Sequence, residues 1–221
     1  GSWFEPGTIE ANKEYTNQIQ EINTFFTNAK VYNTTPAKER NLIFEATKGL
    51  FNGEQTLFIH ANEEKQMIDA IELAKNNGIK RIAIIGGYEA YKIGSLLKEN
   101  QIGVLLKRVH EMPENDDDDI DLPFKLAKLL TDQGVLVGLE NSGSHERMGT
   151  RNLPFLAGTC VAYGLGKELA LQLITSNTAK ILGIDTFCGT LEVGKDATLF
   201  ISEGDALDMR TNKLNTAFIQ G

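Results

Sequence analysis

The stretch TLFIHANEEKQMIDAIELAKNNGIKRIAIIGG, residues 56–87, reads as strand, helix, strand. Residues 56–61 are a short continuous apolar run, the mark of a strand covered on both faces in a parallel sheet. Residues 63–76 place Ile68, Ile71 and Ala74 along one side, with Asn62 positioned to cap the helix and Gly78 to end it. Residues 81–85 form the next strand, closed by Gly86-Gly87.

The same rhythm continues outward. Residues 89–99 are the next helix and 103–106 a third strand, followed by a long acidic loop and a helix over 122–132. Gly134 opens a fourth strand at 135–139. A polar Gly/Ser loop, an apolar stretch at 153–165 and a helix over 167–182 follow. Four β-then-α units with apolar strands predict a parallel sheet joined by right-handed crossovers. Such a sheet is either an open doubly wound sheet or half of a (β/α)8 barrel. Gly86-Gly87 lacks the G-x-G-x-x-G spacing of a dinucleotide site, and no P-loop occurs, so the half barrel is the better reading. An open-sheet nucleotide or regulator binder would have only Gly86-Gly87 as its phosphate cradle.

The flanks are different in character. Residues 1–55 are weakly patterned, with candidate helices at 14–30 and 41–50 separated by Asn33-Thr34-Thr35-Pro36. Residues 184–221 are turn-rich, with short strands of a small sheet expected at 198–201 and 216–219. The expected organisation is therefore 1–55, a half barrel over 56–183, and a small β segment over 184–221.

Composition narrows the function. The 221 residues carry a net charge of −8, which disfavours binding a phosphate backbone and argues against a nucleic-acid partner. No apolar run approaches the roughly 20 residues of a membrane span, and no charged-then-apolar leader opens the chain. The Gly1-Ser2 start reads as an added beginning, so that 221 residues would be the length of a piece. Asp116 to Asp119 form the single charge run, expected to be a solvated loop. Cys160 and Cys188 lie in apolar surroundings and read as buried free thiols, with a single disulfide as the other option.

The three histidines, His60, His110 and His145, all follow strands, at the end of the sheet where parallel α/β proteins gather their chemistry. As a set they could hold a metal; singly, each could be a hydrogen-bonded rim residue. Ser144-His145-Glu146 has the residue types of a hydrolytic triad, but chain neighbours rarely face one another and no G-x-S-x-G elbow is present. Asn152, ahead of Pro154, is a candidate cap of the following helix.

Leu182-Gly183-Ile184 followed by Gly189-Thr190-Leu191-Glu192-Val193-Gly194-Lys195-Asp196-Ala197 resembles the C-terminal signature of the amidohydrolase superfamily. Residues 174–180, Phe58 to Asn62, Ile85 to Tyr91, Ser144-His145 and Arg151-Asn152-Leu153 extend the resemblance, which is closest to the imidazolonepropionase-like branch and covers about residues 56–221. The resemblance implies a (β/α)8 barrel, of which this chain would hold the C-terminal half plus part of a small β-sandwich. In that barrel one or two divalent metals such as zinc activate water to hydrolyse non-peptide C–N bonds, as in cyclic amides. The four strands would be the barrel's last four, with His60 in the fifth-strand metal position. No H-x-H pair occurs, and no aspartate stands at residues 141–144, where the eighth-strand ligand is expected.

Two expectations follow. In one, the chain is the C-terminal portion of such a hydrolase, inactive by itself, with Tyr88, His110, His145 and Arg151 lining a pocket for a small-molecule substrate. In the other it is a non-catalytic module that binds a ligand or pairs with an active subunit. Either way an open half barrel calls for a homo-oligomer or a complementary N-terminal barrel half.

Overall fold

The computed structural model describes residues 12–35, 39–107, 109–143 and 146–221. Four strands, β1 (Leu57–Ala61), β2 (Ile82–Gly86), β3 (Gly103–Leu106) and β4 (Val137–Leu139), form one parallel sheet in the order β1-β2-β3-β4. Simple sequential order with a helix after each strand is the arrangement of consecutive barrel units, and no closed barrel forms among the described residues. His60 is level with Ile85 in the register, Ile85 with Leu105, and Leu105 with Gly138.

Alternation along the strands divides the core. Ile84, Val104, Leu106, Val137 and Leu139 face the crossover helices α4 (Glu64–Asn76) and α6 (Leu122–Asp132), which contribute Met67, Ile71 and Leu130 to the same cluster. Ala83 and Leu105 face the other way, with Phe58 and Ile85 beside them. That second face is covered near the amino ends of the strands by Ile181 of α9 (Ser176–Leu182). Gly103 and Gly138 make room for α9: a Cβ would lie 2.6 Å from Ile181 on one and 2.6 Å from the Thr178 hydroxyl on the other. At the carboxyl end of β1 on this face, His60 is exposed.

Several boundaries differ from the sequence expectation for local reasons. β1 is an edge strand, only half-buried over Leu57–Ile59, so its apolar run does not mean cover on both faces. Asn62 does not cap α4. Its side chain lies over Gly86 and donates to Glu114 Oε1 at 3.3 Å, and the Glu64 N–H instead meets Glu89 Oε2 at 2.8 Å. The helix expected at 89–99 starts as a 3-10 turn, Ala90–Ile93, and becomes α5 only at Gly94–Glu99. Gly86 and Gly87 have φ of 104° and 71°, and a Cβ on Gly87 would strike Val104 at 2.7 Å. These glycines serve a tight strand exit, with the Gly87 N–H on Ala61 O at 2.8 Å, rather than a phosphate cradle. The Val135 N–H closes the end of α6 on Leu130 O at 3.0 Å, which delays β4 to Val137.

The long helix expected at 167–182 is two: α8 (Lys167–Leu173) and α9, broken at Ile174-Thr175. The Thr178 hydroxyl takes Leu173 O at 2.6 Å in place of a helical N–H. Ahead of them, α7 (Leu153–Ala162) begins with Pro154 in its first turn; Asn152 occupies the cap position without a side-chain bond.

The N-terminal segment folds as α1 (Tyr15–Thr34), α2 (Leu42–Glu45) and α3 (Lys48–Asn52). Thr35 is extended, as the residue before a proline should be. Phe26 of α1 and Leu50 of α3 pack against Ala74 and Ile79, fastening the segment to the first βα unit. At the other end β5 (Leu199–Glu203) and β6 (Lys213–Phe218) pair antiparallel, with both strands largely exposed. A second layer of a sandwich is absent among the described residues. Both cysteines are free; Cys160 is buried and Cys188 half-buried. Among the described residues, no helix is long and apolar enough to cross a membrane.

Candidate functional site

Three strands bring polar groups to one rim. His60 ends β1's open face; Lys107 lies two residues past Leu105, and Glu140 two past Gly138, so alternation aims all three to that side. The Lys107 ammonium is 3.4 Å from His60 Nδ1 and 3.5 Å from Glu140 Oε1. An ammonium can only donate, so His60 Nδ1 accepts, and the neutral imidazole carries its proton on Nε2. Glu140 is nearly buried, and its other oxygen accepts from the Ser142 N–H at 2.7 Å and from the Ser142 hydroxyl. The result is a fixed chain of carboxylate, ammonium and imidazole with an N–H donor directed onward.

A divalent metal does not fit this cluster. Among the described residues two donors are present there, His60 and Glu140, and an ammonium stands between them. A unit charge about 4 Å from another costs about 4 kcal/mol near a protein surface, and a divalent ion about twice that. Among the described residues no three His, Cys, Asp or Glu side chains converge as a metal-binding group.

Beside this rim, a cleft of about 460 Å³ is lined by His110, Asn141, Asn152, Phe155, Leu156 and Met209, with Gly149. Here His110 Nε2 is 2.6 Å from the Thr159 hydroxyl, and that hydroxyl donates to Phe155 O at 3.0 Å. With its one proton so used, Thr159 accepts from His110 Nε2–H, which leaves Nδ1 with a lone pair. The edge of the His110 ring meets Phe124 at 6.1 Å between centroids, and Phe124 stacks on Tyr163. Met209 arrives from the loop before β6, which packs on α7 so closely that a Cβ on Gly158 would lie 2.1 Å from Leu207 O.

The remaining sequence candidates fall differently. Tyr88 is buried and lines neither the rim nor the His110 cleft. Its hydroxyl donates to Asp118 Oδ2 at 2.7 Å and accepts from the Glu114 N–H at 3.0 Å. Burial, with the Asp118 carboxylate next, pushes the Tyr88 phenol up to about 12, while the Tyr88 hydroxyl, ahead of the Asn115 donors, holds Asp118 below its usual range. The acidic run is thus not wholly solvated: Asp118 is tied to Tyr88, and Asp119 to Lys125 at 2.6 Å. Arg151 is exposed in the 3-10 turn Glu146–Asn152 and does not line the cleft, whereas its neighbour Asn152 does. His145 lies outside the described residues. Sequence reasoning missed Lys107 and gave Glu140 no role; a charged residue immediately beyond an apolar strand was the available signal.

Comparison with known proteins follows the same outline. The profile of the Amidohydrolase family matches residues 56–221. An amidohydrolase, tasK of Hapsidospora irregularis, is 35% identical over 115 residues, covering 48% of this chain and 11% of that protein. The crystal structure of an amidohydrolase from Thermotoga maritima MSB8 aligns with a TM-score of 0.73 at 26% identity, over 94% of this chain and 53% of that one. A prolidase crystallised with N-methylphosphonate-L-proline shares the fold, with a TM-score of 0.54 at 15% identity over 99% of this chain and 65% of that one. The chain spans about half the length of the Thermotoga protein and a small part of the tasK protein.

Proposed function

The chain belongs to the amidohydrolase family, and from that premise we propose that it supplies the C-terminal half of a barrel that hydrolyses a non-peptide C–N bond. The substrate is a small cyclic amide, the class implied by the likeness to the imidazolonepropionase-like branch. The observation carrying this reading is the convergence of His60, Lys107 and Glu140 at the carboxyl rim of a family-matched parallel sheet. A ring carbonyl placed there meets the His60 Nε2–H and the Lys107 ammonium, which offset the negative charge that develops on oxygen during attack. Glu140 keeps Lys107 in position. Any metal of the kind the family generally uses needs donors beyond the described residues. The first barrel strands come from a complementary segment, because both edges of the four-stranded sheet are unpaired among the described residues.

A second reading is favoured by one feature: Lys107 sits where a cation between imidazole and carboxylate would sit. In that reading the same rim binds the cyclic amide without cleaving it. Titrating hydantoin, a cyclic ureide whose ring contains an amide, into isotope-labelled protein tests the site shared by both. Amide shifts gathered at residues 60, 107 and 140 are expected; shifts confined to other parts of the surface, or none, would overturn it.

A further inference from the structure

The end of the sheet away from the rim carries a different chemistry. A cleft of about 280 Å³ opens where the chain enters β2 and β3, and Lys75, Lys80, Arg81 and Lys180 line it with Asn100 and Gln101. Four cationic residues border this small space, the three lysines exposed, in a chain whose net charge is −8. Some lysines elsewhere meet carboxylates, Lys125 with Asp119 at 2.6 Å and Lys213 with Glu203 at 2.8 Å, whereas Lys30, Lys48 and Lys98 stand in the open without one among the described residues. Among the described residues, none of these four side chains makes an ion pair or a hydrogen bond. Arg81 also borders a neighbouring groove that contains Glu54, yet the two form no ion pair.

Two of the four have a local explanation, since Lys75 and Lys180 stand in the last turns of α4 and α9, where helix dipoles favour positive charge. Lys80 and Arg81 lack that explanation. Their backbone is fixed, with the Lys80 N–H on Leu50 O at 3.0 Å and Arg81 O accepting the Leu57 N–H at 2.9 Å. Arg81 is half-buried, and its guanidinium lies beside Gly183, at the border between this cleft and the neighbouring groove that Gly183 lines: a Cβ there would sit 3.0 Å from both terminal nitrogens. Gln101 adds a second oddity. It occupies the left-handed position closing α5, with φ 56°, where a glycine would be unstrained. The uncapped Asn100 oxygen is also available, because its amide nitrogen donates to Leu96 O at 2.7 Å.

We propose that this cleft is an anion site for a phosphate-bearing small molecule, distinct from the rim at the opposite end of the strands. A guanidinium matches phosphate oxygens in a planar fork, three ammonium groups add charge, and the amides of Asn100 and Gln101 supply neutral donors or acceptors for the remainder of the ligand. The volume suits a compact diphosphate or sugar phosphate. A nucleic-acid backbone is a poor match for one small basic cleft on an acidic surface.

The test uses inorganic pyrophosphate titrated into isotope-labelled protein at about 0.15 M salt, where loose surface attraction is screened. Saturable shifts at residues 80–81, 100–103 and 180–183 are expected. Arg81→Met is expected to weaken binding about tenfold or more. Lys180→Met, at an exposed helix end, is expected to weaken it several-fold, and it carries the test if the Arg81 variant does not fold. Absence of saturation, shifts centred elsewhere, or affinity unchanged in Lys180→Met would overturn the proposal. Hydantoin shifts at the rim should be unaffected by either variant, so the outcome is independent of the catalytic reading.

Discussion

Replacing Tyr88 by phenylalanine should release the acidic loop from the sheet while leaving the aromatic ring in its buried place. The phenol is the loop's tie: it donates to Asp118 at 2.7 Å and accepts from the Glu114 N–H at 3.0 Å. A hydrogen bond to a charged group contributes about 1.5–3 kcal/mol, and one to a neutral backbone N–H about 0.5–1.5. Both partners sit near solvent: Asp118 keeps the Asn115 side-chain donor at 2.9 Å, and water can replace the phenol on Glu114. Discounted for that, the loss at pH 7 is about 1–2 kcal/mol. The pH dependence has a definite sign. Asp118 has a lowered folded value, so its contribution is present above the unfolded carboxyl pKa of about 3.9 and fades as pH falls through the folded one. Tyr88 is raised to about 12, so its contribution is whole below about 10, the unfolded value, and is lost as pH climbs through 12. Urea unfolding of wild type and Tyr88→Phe at pH 7 and pH 3, with amide exchange at residues 114–118, measures all of this. A loss below about 0.3 kcal/mol at pH 7, or one that grows at pH 3, would refute the reasoning.

Other perturbations probe other parts of the account. Gly158→Ala places a methyl group against the Leu207 carbonyl, so despite a helix-propensity gain of about 1 kcal/mol it should destabilise by about 1–3 kcal/mol in thermal unfolding; a stabilised variant would contradict the close packing of that loop on α7. Burial pushes the Cys160 thiol up to about 12, so at pH 8 iodoacetamide should modify Cys188 in the native protein and reach Cys160 only after denaturation. Lys107→Met removes the donor to His60 Nδ1, and nitrogen spectra of the imidazole should change from a dominant Nε2–H form to a mixture; an unchanged spectrum would mean that Lys107 does not set the tautomer.

The sheet was legible because its signal is local. Each of the segments at 56–61, 81–85, 103–106 and 135–139 is a short apolar run followed by a helix-period stretch, and all four became strands in sequential order. What failed was contact-dependent. Nothing in Asn62 itself reveals that Glu89 will take the helix-start N–H, or that Glu114 will engage the Asn62 amide. The division at Ile174-Thr175 depends on a threonine hydroxyl three residues further on, inside a segment whose periodicity reads as one helix.

The candidate site was half legible for the same reason. His60 and His110 could be placed at the rim from strand ends alone. Their chemistry comes from partners 47 and 49 residues away, Lys107 and Thr159, and only the folded register brings these together. Tyr88 illustrates the converse: the family resemblance suggested a place in a pocket, but the structure uses its hydroxyl to anchor Asp118, 30 residues on.

The central claim is that the rim of this half barrel belongs to a hydrolase of cyclic amides. Its most direct test is ring-opening of hydantoin or an imidazolone by the full-length protein, wild type beside His60→Ala, with folding verified for both. Measurable hydrolysis is expected, falling at least about a hundredfold without the His60 imidazole, as loss of an oxyanion donor does elsewhere. Hydrolysis at an unchanged rate in His60→Ala, or ring binding at the rim with no turnover in the wild type, would contradict it.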